Sequence, residues 1–267
     1  MSDASLILTQ TRYALIATLR TPRAMLFGAL FPIIFLVLFN SLFTSGGGPD
    51  TTTVEGHTVG VHAYFTAGLI AYALALSCFS TPLMALVGQR ERGQLKRIRG
   101  MPVPAWTFVA AQVLRSVAFA FVVGAIMITI GIAAYGVDLP AQTIPGFLIY
   151  LFLGTATLSA LGIAATALAK NEDSAQPIGA FTVVMLSFVS GIFIQLDTLP
   201  NWMADIGRIF PLYHLAAGLQ TTVAQDPSGI GLSAGDVLVL VLWGLAAIRI
   251  ATKNFKWEPQ GRSAEAV

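Results

Sequence analysis

The chain has 267 residues and a mass of 28.3 kDa, with 15 Lys and Arg, 13 Asp and Glu, and a formal net charge of +2. Charged residues make up 10% and apolar residues 55%, where a soluble domain carries about 25% charge. The polar surface of a globule is therefore missing and lipid has to cover what it would have covered, in agreement with a mean hydropathy of +0.75. A single cysteine, Cys78, excludes an internal disulfide or a thiolate metal cluster, and the small net charge offers no general field for nucleic acid.

A hydrocarbon core about 30 Å thick needs about 20 apolar residues at 1.5 Å rise. Six such runs follow one another: Ala24–Phe43, Tyr64–Val87, Trp106–Tyr135, Ile144–Ala169, Pro177–Leu196 and Gly235–Ala251. All are expected to be helices, because backbone facing lipid must satisfy its own hydrogen bonds, and the alternating pattern of an outer-membrane barrel is absent. Sidedness follows from Lys and Arg. The segments before span one, between spans two and three, between four and five, and after six hold 12 of the 15 cations. The opposite loops, 44–63, 136–143 and 197–234, hold only Arg208, beside six acids. Both termini are thus expected in the cytoplasm and the protein in the plasma (cytoplasmic) membrane. A cleaved signal peptide is disfavoured, since the first apolar run is span-length and no A-x-A-like site follows it.

The connecting segments carry more information. In residues 4–23, Ser5, Thr9, Arg12, Arg20 and Arg23 make a narrow polar stripe on an otherwise apolar helix, fitting an elbow in the membrane interface. Thr21-Pro22 breaks it before span one. The bland alternative is a positively charged flank. After span two, Gln89–Pro104 packs five cations and one carboxylate into ten residues and ends on Pro-x-Pro. Leu95, Ile98 and Met101 step by three, so a short helix there would carry an apolar seam suited to docking a partner. The alternative is a solvated positive-inside loop. Residues 197–234 are too long and apolar for a plain loop. Leu199-Pro200-x-Trp202 and Phe210-Pro211-x-Tyr213 each open a short helix with proline, making a re-entrant hairpin over the outer mouth, or a lid without a gating role.

Ionisable residues inside spans usually mark proton or ion paths, and no carboxylate is found deep in any run. Arg115, with Gln112 one turn before it, lies in the inner half of span three; it either snorkels or lines a cytoplasmic entrance. Arg249 at the inner end of span six snorkels. His57, His62 and His214 sit in or beside outer segments and form no ligand set, and no G-x-S-x-G or P-loop motif occurs. Thr155, Ser159, Gly162 and Thr166 form a small-residue stripe on span four, and Gly124 and Gly131 recur in span three; such faces let helices approach closely, within one subunit or across a dimer seam.

These residues resemble the ABC-2 family of transporter permeases, in particular its drug-export branch typified by daunorubicin-resistance permeases. Arg90-Glu91-Arg92-Gly93-x-Leu95-Lys96-x-x-Arg99-x-x-Pro102-Val103-Pro104 is similar to the family's coupling segment, with Gln94 where Thr is common. Ser190-Gly191-Ile192-Phe193, followed by Leu199-Pro200-x-Trp202, resembles its fifth-span exit, with Gln195 where proline is usual, and Phe255-x-Trp257 closes the chain. The resemblance implies an all-α polytopic fold in one ABC-2 domain over 1–267. It divides into elbow 1–23, spans one and two 24–87, coupling segment 88–104, spans three to five 105–196, outer hairpin 197–234, span six 235–251 and cytoplasmic tail 252–267. It further implies a non-catalytic permease, with ATP and Mg held by a separate ATPase subunit and a second permease copy or paralogue alongside. Arg90, Glu91, Arg92, Gly93, Leu95, Lys96 and Arg99 would then couple to the ATPase, and Leu199, Pro200, Trp202, Phe210, Pro211 and Tyr213 would form an outer gate. The cargo expected is a hydrophobic or amphiphilic small molecule. Alternatives are a lipid-linked glycan, or a secondary transporter not driven by ATP.

Overall fold

The computed structural model describes residues 9–11, 13, 16, 22–45, 50–95 and 105–254. Helices dominate. We label them α1 (Pro22–Ser45), α2 (Val61–Leu74), α3 (Thr81–Glu91), α4 (Ala105–Tyr135), α5 (Ile144–Ala165), α6 (Glu172–Val189), α7 (Asn201–Ile209), α8 (Pro211–Thr222) and α9 (Ala234–Asn254). A π-helical turn, Ala75–Ser80, joins α2 to α3 as one long rod. Within the basic N-terminal stretch, residues 9–11, 13 and 16 are helical; Arg12 and Arg20 lie outside the described residues.

Among the described residues, four helices are long and apolar enough to cross a membrane: Val61–Glu91, Ala110–Tyr135, Ala141–Ala165 and Ala234–Lys253. The first apolar run contributes a shorter apolar helix, Leu30–Leu42. The fifth differs most from its expected bounds. α6 begins at Glu172, five residues before Pro177, because Asn171 and Ser174 form a reciprocal capping box there. It stops at Val189, where Ser190 and the left-handed Gly191 (φ +70°) turn the chain. Eighteen residues at 1.5 Å make a helix about 27 Å long. The fourth run ends early for a similar reason: Thr166 caps α5, and its hydroxyl donates back to the Ile163 carbonyl (2.6 Å).

Beside the helices, a small antiparallel hairpin lies in the connection between α1 and α2. β1 (Thr51–Val54) pairs with β2 (His57–Gly60), Thr51 opposite Gly60 and Val54 opposite His57. Glu55 (φ +49°) and Gly56 (φ +84°) make the two-residue turn. Two positive φ angles are what a type I′ connection demands, and glycine adopts one without strain. Gln225 donates its amide to the Thr58 carbonyl (2.9 Å), and the Thr58 amide donates to Asp226 (2.9 Å), tying the hairpin to the chain after α8.

α2 is buried on every side; of its fourteen residues only His62 is partly open. Around it pack α1, α4 and α8, while α5 packs against α4, α8, α9 and the π-turn. Outward faces are apolar instead: Leu238, Leu242, Leu245 and Ile248 of α9, Val122 and Ile126 of α4, Phe181 and Met185 of α6 are all exposed. Apolar stripes of this size on an outer surface call for lipid.

Small residues set the closest approaches. A Cβ on Gly162 would lie 2.3 Å from the Phe79 carbonyl oxygen, on Gly124 3.2 Å from Leu151, and on Gly131 2.6 Å from Thr66. The glycine-bearing faces of α4 and α5 are therefore spent on packing within the chain. Gly162→Ala is expected to push α5 off the π-turn, because the new methyl would meet the Phe79 backbone and not a movable side-chain tip. Overpacking of this kind costs about 1–3 kcal/mol, read as a lower unfolding temperature of the purified protein. Gly235→Ala, whose new methyl would meet nothing closer than 3.7 Å, should leave that temperature unchanged.

Candidate functional site

Two polar regions stand at opposite ends of the bundle. The first gathers the end of α3, the turn after α5 and the start of α6. Arg90 was expected among outward-facing coupling residues, but its side chain turns inward and is 1% exposed. One guanidinium nitrogen donates to the Thr166 carbonyl (3.1 Å), and the other to the carbonyls of Ala169 (2.5 Å) and Lys170 (3.1 Å). A planar fork can meet three carbonyls at a helix C-terminus, whose dipole also favours a cation. Arg90 is thus the C-terminal clamp of α5.

Its neighbours serve the start of α6. The Glu91 carboxylate accepts from the Glu172 backbone amide (3.2 Å), and Arg92 pairs with the Glu172 carboxylate at 2.7 Å. A Cβ on Gly88 would fall 1.9 Å from that carboxylate, so α3 and α6 meet closely here. Gly93 takes φ +68°. Leu95, read as part of a docking seam, is 1% exposed and packs with Leu86, Ile163, Ala164 and Ala251. Lys96, Arg99 and the rest of the segment to Pro104 lie outside the described residues. In α4, Gln112 is buried and Arg115 partly so; Cys78 lies against the Ser116 carbonyl at 3.8 Å, which brings this stretch onto the π-turn.

The second region gathers α7, α8 and the start of α9. Pro200 and Pro211 open α7 and α8, which meet at Phe210. Gly207 lets α7 touch the end of α6, where a Cβ would lie 1.9 Å from the Val189 carbonyl oxygen. Phe210 stacks on Trp243 of α9 (6.1 Å between centroids), whose indole N–H donates to the Ile209 carbonyl (2.9 Å). Trp202 is 64% exposed, while Pro211 and Tyr213 are buried. The Tyr213 hydroxyl donates to Glu55 at the tip of the β-hairpin (3.1 Å). Burial, and then the neighbouring Glu55 charge, push this phenol up to about 12. Burial, and next the Asp236 charge, raise the Glu55 carboxyl above its ordinary value.

A cleft of about 330 Å³ opens between these elements, lined among others by Glu55, Tyr64, Gln195, Arg208, Tyr213 and Gln220. Its floor is fixed by Tyr64 and Gln220, both donating to the Gly191 carbonyl. Beside it, His214 bonds Asp236 (2.6 Å) and the Arg208 carbonyl (2.8 Å). Asp236 was missed in the sequence: it falls within the sixth apolar run and is 2% exposed. The signal for it was Ser233-x-x-Asp236 before an apolar stretch, a helix-start signature; the Asp236 amide donates to the Ser233 hydroxyl at 3.4 Å.

Arg90→Lys should discriminate a clamp from a docking residue. An ammonium keeps the charge but cannot fork to three carbonyls, and losing charge-assisted bonds there costs about 1–3 kcal/mol. Arg92→Ala removes a half-exposed pair worth at most about 1 kcal/mol. Thermal unfolding of the two variants is expected to show the larger loss for the conservative change.

The model of the ABC-2 type transporter family matches residues 5–223. YvfS of Bacillus subtilis (strain 168), named as a transport permease, is 23% identical over 208 residues, which cover 75% of this chain and 78% of that one. The inner membrane transport permease YadH of Escherichia coli (strain K12) is 21% identical over 189 residues, 71% of this chain and 72% of its own. ABC transporter G family member 20 of Dictyostelium discoideum is 27% identical over 191 residues, 68% of this chain but 25% of that much longer protein. A match running from the N-terminal stretch to the end of α8, on a chain of apolar membrane-length helices, establishes that this multi-pass membrane protein belongs to the ABC-2 type transporter family.

Proposed function

We propose that this permease is the membrane half of an ATP-driven exporter of hydrophobic or amphiphilic molecules. Two copies, or one copy and a paralogue, join in the membrane, and ATPase subunits that hold ATP and Mg dock beneath them. Each copy crosses six times, α1 and α6 completing the set begun by the four long spans, with the N-terminal stretch as an interfacial elbow. The Lys and Arg bias supports placing both termini and the Arg90–Arg99 segment in the cytoplasm.

One observation carries the coupling role: three consecutive side chains of this segment hold two different helices. Arg90 clamps the end of α5, and Glu91 and Arg92 hold the start of α6. A displacement of residues 90–95 by a subunit beneath is thus passed directly to the fourth and fifth spans. ATP binding acts on transport by favouring one arrangement of these helices over another. The cargo class is supported by a wholly apolar crevice of about 140 Å³ lined by Phe79, Leu158, Leu161, Leu186, Phe210 and Trp243, among others. It lies beside the α7–α8 hairpin, where Leu199, Pro200, Trp202, Phe210, Pro211 and Tyr213 make the outer gate. Gln112 and Arg115, one turn apart, line the route inward.

Purification from the native membrane is expected to bring an ATPase subunit with the permease. Glu91→Ala, or charge reversal at Lys96 and Arg99, should loosen that association or leave ATP hydrolysis running without transport. Normal assembly and normal transport in all these variants would remove the coupling assignment. Uphill transport by the isolated chain in liposomes would remove the ATP-driven reading itself.

A further inference from the structure

The His214 ring lies between two groups that can only accept. Its Nδ1 is 2.6 Å from a carboxylate oxygen of Asp236, and its Nε2 is 2.8 Å from the backbone carbonyl of Arg208. A neutral imidazole has one N–H and one lone pair, so in this place it would set its lone pair against one of the two oxygens. Both bonds form together only when the pair holds one proton more than imidazole plus carboxylate. Side chains 12% and 3% exposed leave little water to substitute for either bond.

We infer that His214 and Asp236 form an outward-lying proton-binding site whose proton holds the α7–α8 hairpin to the start of α9. Its three contributors come from three helices: Arg208 from the last turn of α7, His214 from the first turn of α8, Asp236 from the first turn of α9. Loss of the proton turns the contact with the Arg208 carbonyl, or that with the carboxylate, into a repulsion between lone pairs. Two further ties between these helices, Phe210 on Trp243 and the Trp243 indole on the Ile209 carbonyl, do not titrate.

Charged and titratable groups from every neighbouring element bear on the site. Glu55 approaches from the β-hairpin, its carboxylate bonded by Tyr213. The Tyr213 ring stands edge-on to the imidazole at 5.0 Å. The Arg208 guanidinium opposes the charge but is drawn off by Asp205 (3.2 Å), and Tyr150 of α5 meets the same helix start through the Ser233 amide (3.0 Å). Burial disfavours the imidazolium most, yet the bonds to Asp236 and the Arg208 carbonyl, with the charges of Asp236 and Glu55, hold His214 above its ordinary value. The sign follows. The proton contributes fully below the ordinary histidine value, about 6.5, and its contribution is lost as pH rises through the higher value of the docked form. An acidic outer medium keeps the hairpin seated and an alkaline one releases it. The link to gating rests on the outer-gate reading above; the proton site does not.

The test uses the full chain in lipid nanodiscs, with the His214 imidazole signals assigned by their disappearance in His214→Gln. At pH 6 the ¹⁵N pattern of an imidazolium is expected, with a midpoint above that of an ordinary histidine, and Asp236→Asn should lower the midpoint. Amide exchange over 205–215, corrected for its intrinsic pH dependence, should rise about tenfold across the same midpoint, the loss of one charge-assisted bond. The rise should be absent in His214→Gln. A neutral tautomer at pH 6, or a hairpin whose protection ignores the His214 titration, overturns the proposal. Should Asp236→Asn fail to fold, the titration of the unmodified protein and His214→Gln decide it. None of these readouts involves transport, so their failure is separate from that of the exporter reading.

Discussion

A helix surrounded by protein on all sides constrains everything packed on it, and α2 is such a helix. Small residues recur along it, with Ala63, Ala67, Ala71 and Ala73 at or below 7% exposure. Short side chains let α1, α4 and α8 come close, and in hydrocarbon that closeness is what holds helices together, since lipid tails are as apolar as leucine. The aromatic side of the rod supplies the rest. Phe35 and Phe39 of α1, Tyr72 of α2 and Phe193 beyond α6 form one continuous cluster, with centroids 5.0–6.4 Å apart. The first, second and fifth apolar runs therefore meet around one central axis.

The two ends of this rod differ in chemistry. At the end carrying Arg90, positive charge is satisfied by backbone carbonyls and one carboxylate, and the bonds link consecutive helices rigidly. At the other end, carboxylates, phenols and an imidazole share a cleft, with the β-hairpin bridging from Glu55 and Asp226. Under the function proposed above, the first end would pass on displacement. The other consists of contacts that can be made and broken singly, as a closing element would require.

Helical periodicity and charge bias made most of this architecture legible: the apolar runs, the proline-opened helices α7 and α8, and the family resemblance all stand in the residues. What was not legible has physical causes. Arg90 sits in a run of cations, and nothing in a charge count separates the one that turns inward from those that face solvent; only the carbonyls left open at the end of α5 decide it. The β-hairpin was overlooked beside strong helical signals, although Thr-Thr-Thr-Val and His-Thr-Val flank Glu55-Gly56 in the manner of a tight turn. Asp236 hid inside an apolar run. His214 looked unpartnered because its two acceptors stand 6 residues before it and 22 after it, a juxtaposition that only the fold creates.

Between α2 and α3 the backbone is wound as a π-turn, Ala75–Ser80. Such a turn holds one residue more than an α-helix would, with bonds to the fifth residue rather than the fourth; the Thr81 hydroxyl follows the same pattern in donating to the Leu76 carbonyl (3.4 Å). Each residue of an α-helix advances the rotation by about 100°. Wound as a regular α-helix with the same residues, this stretch would swing the half of the rod beyond it by about that angle. Arg90 would then point away from the three oxygens it now holds, and the faces offered to Gly162 and Gly179 would change as well. The winding of the interval between α2 and Arg90 is for that reason as much a part of the molecule's identity as any side chain within it.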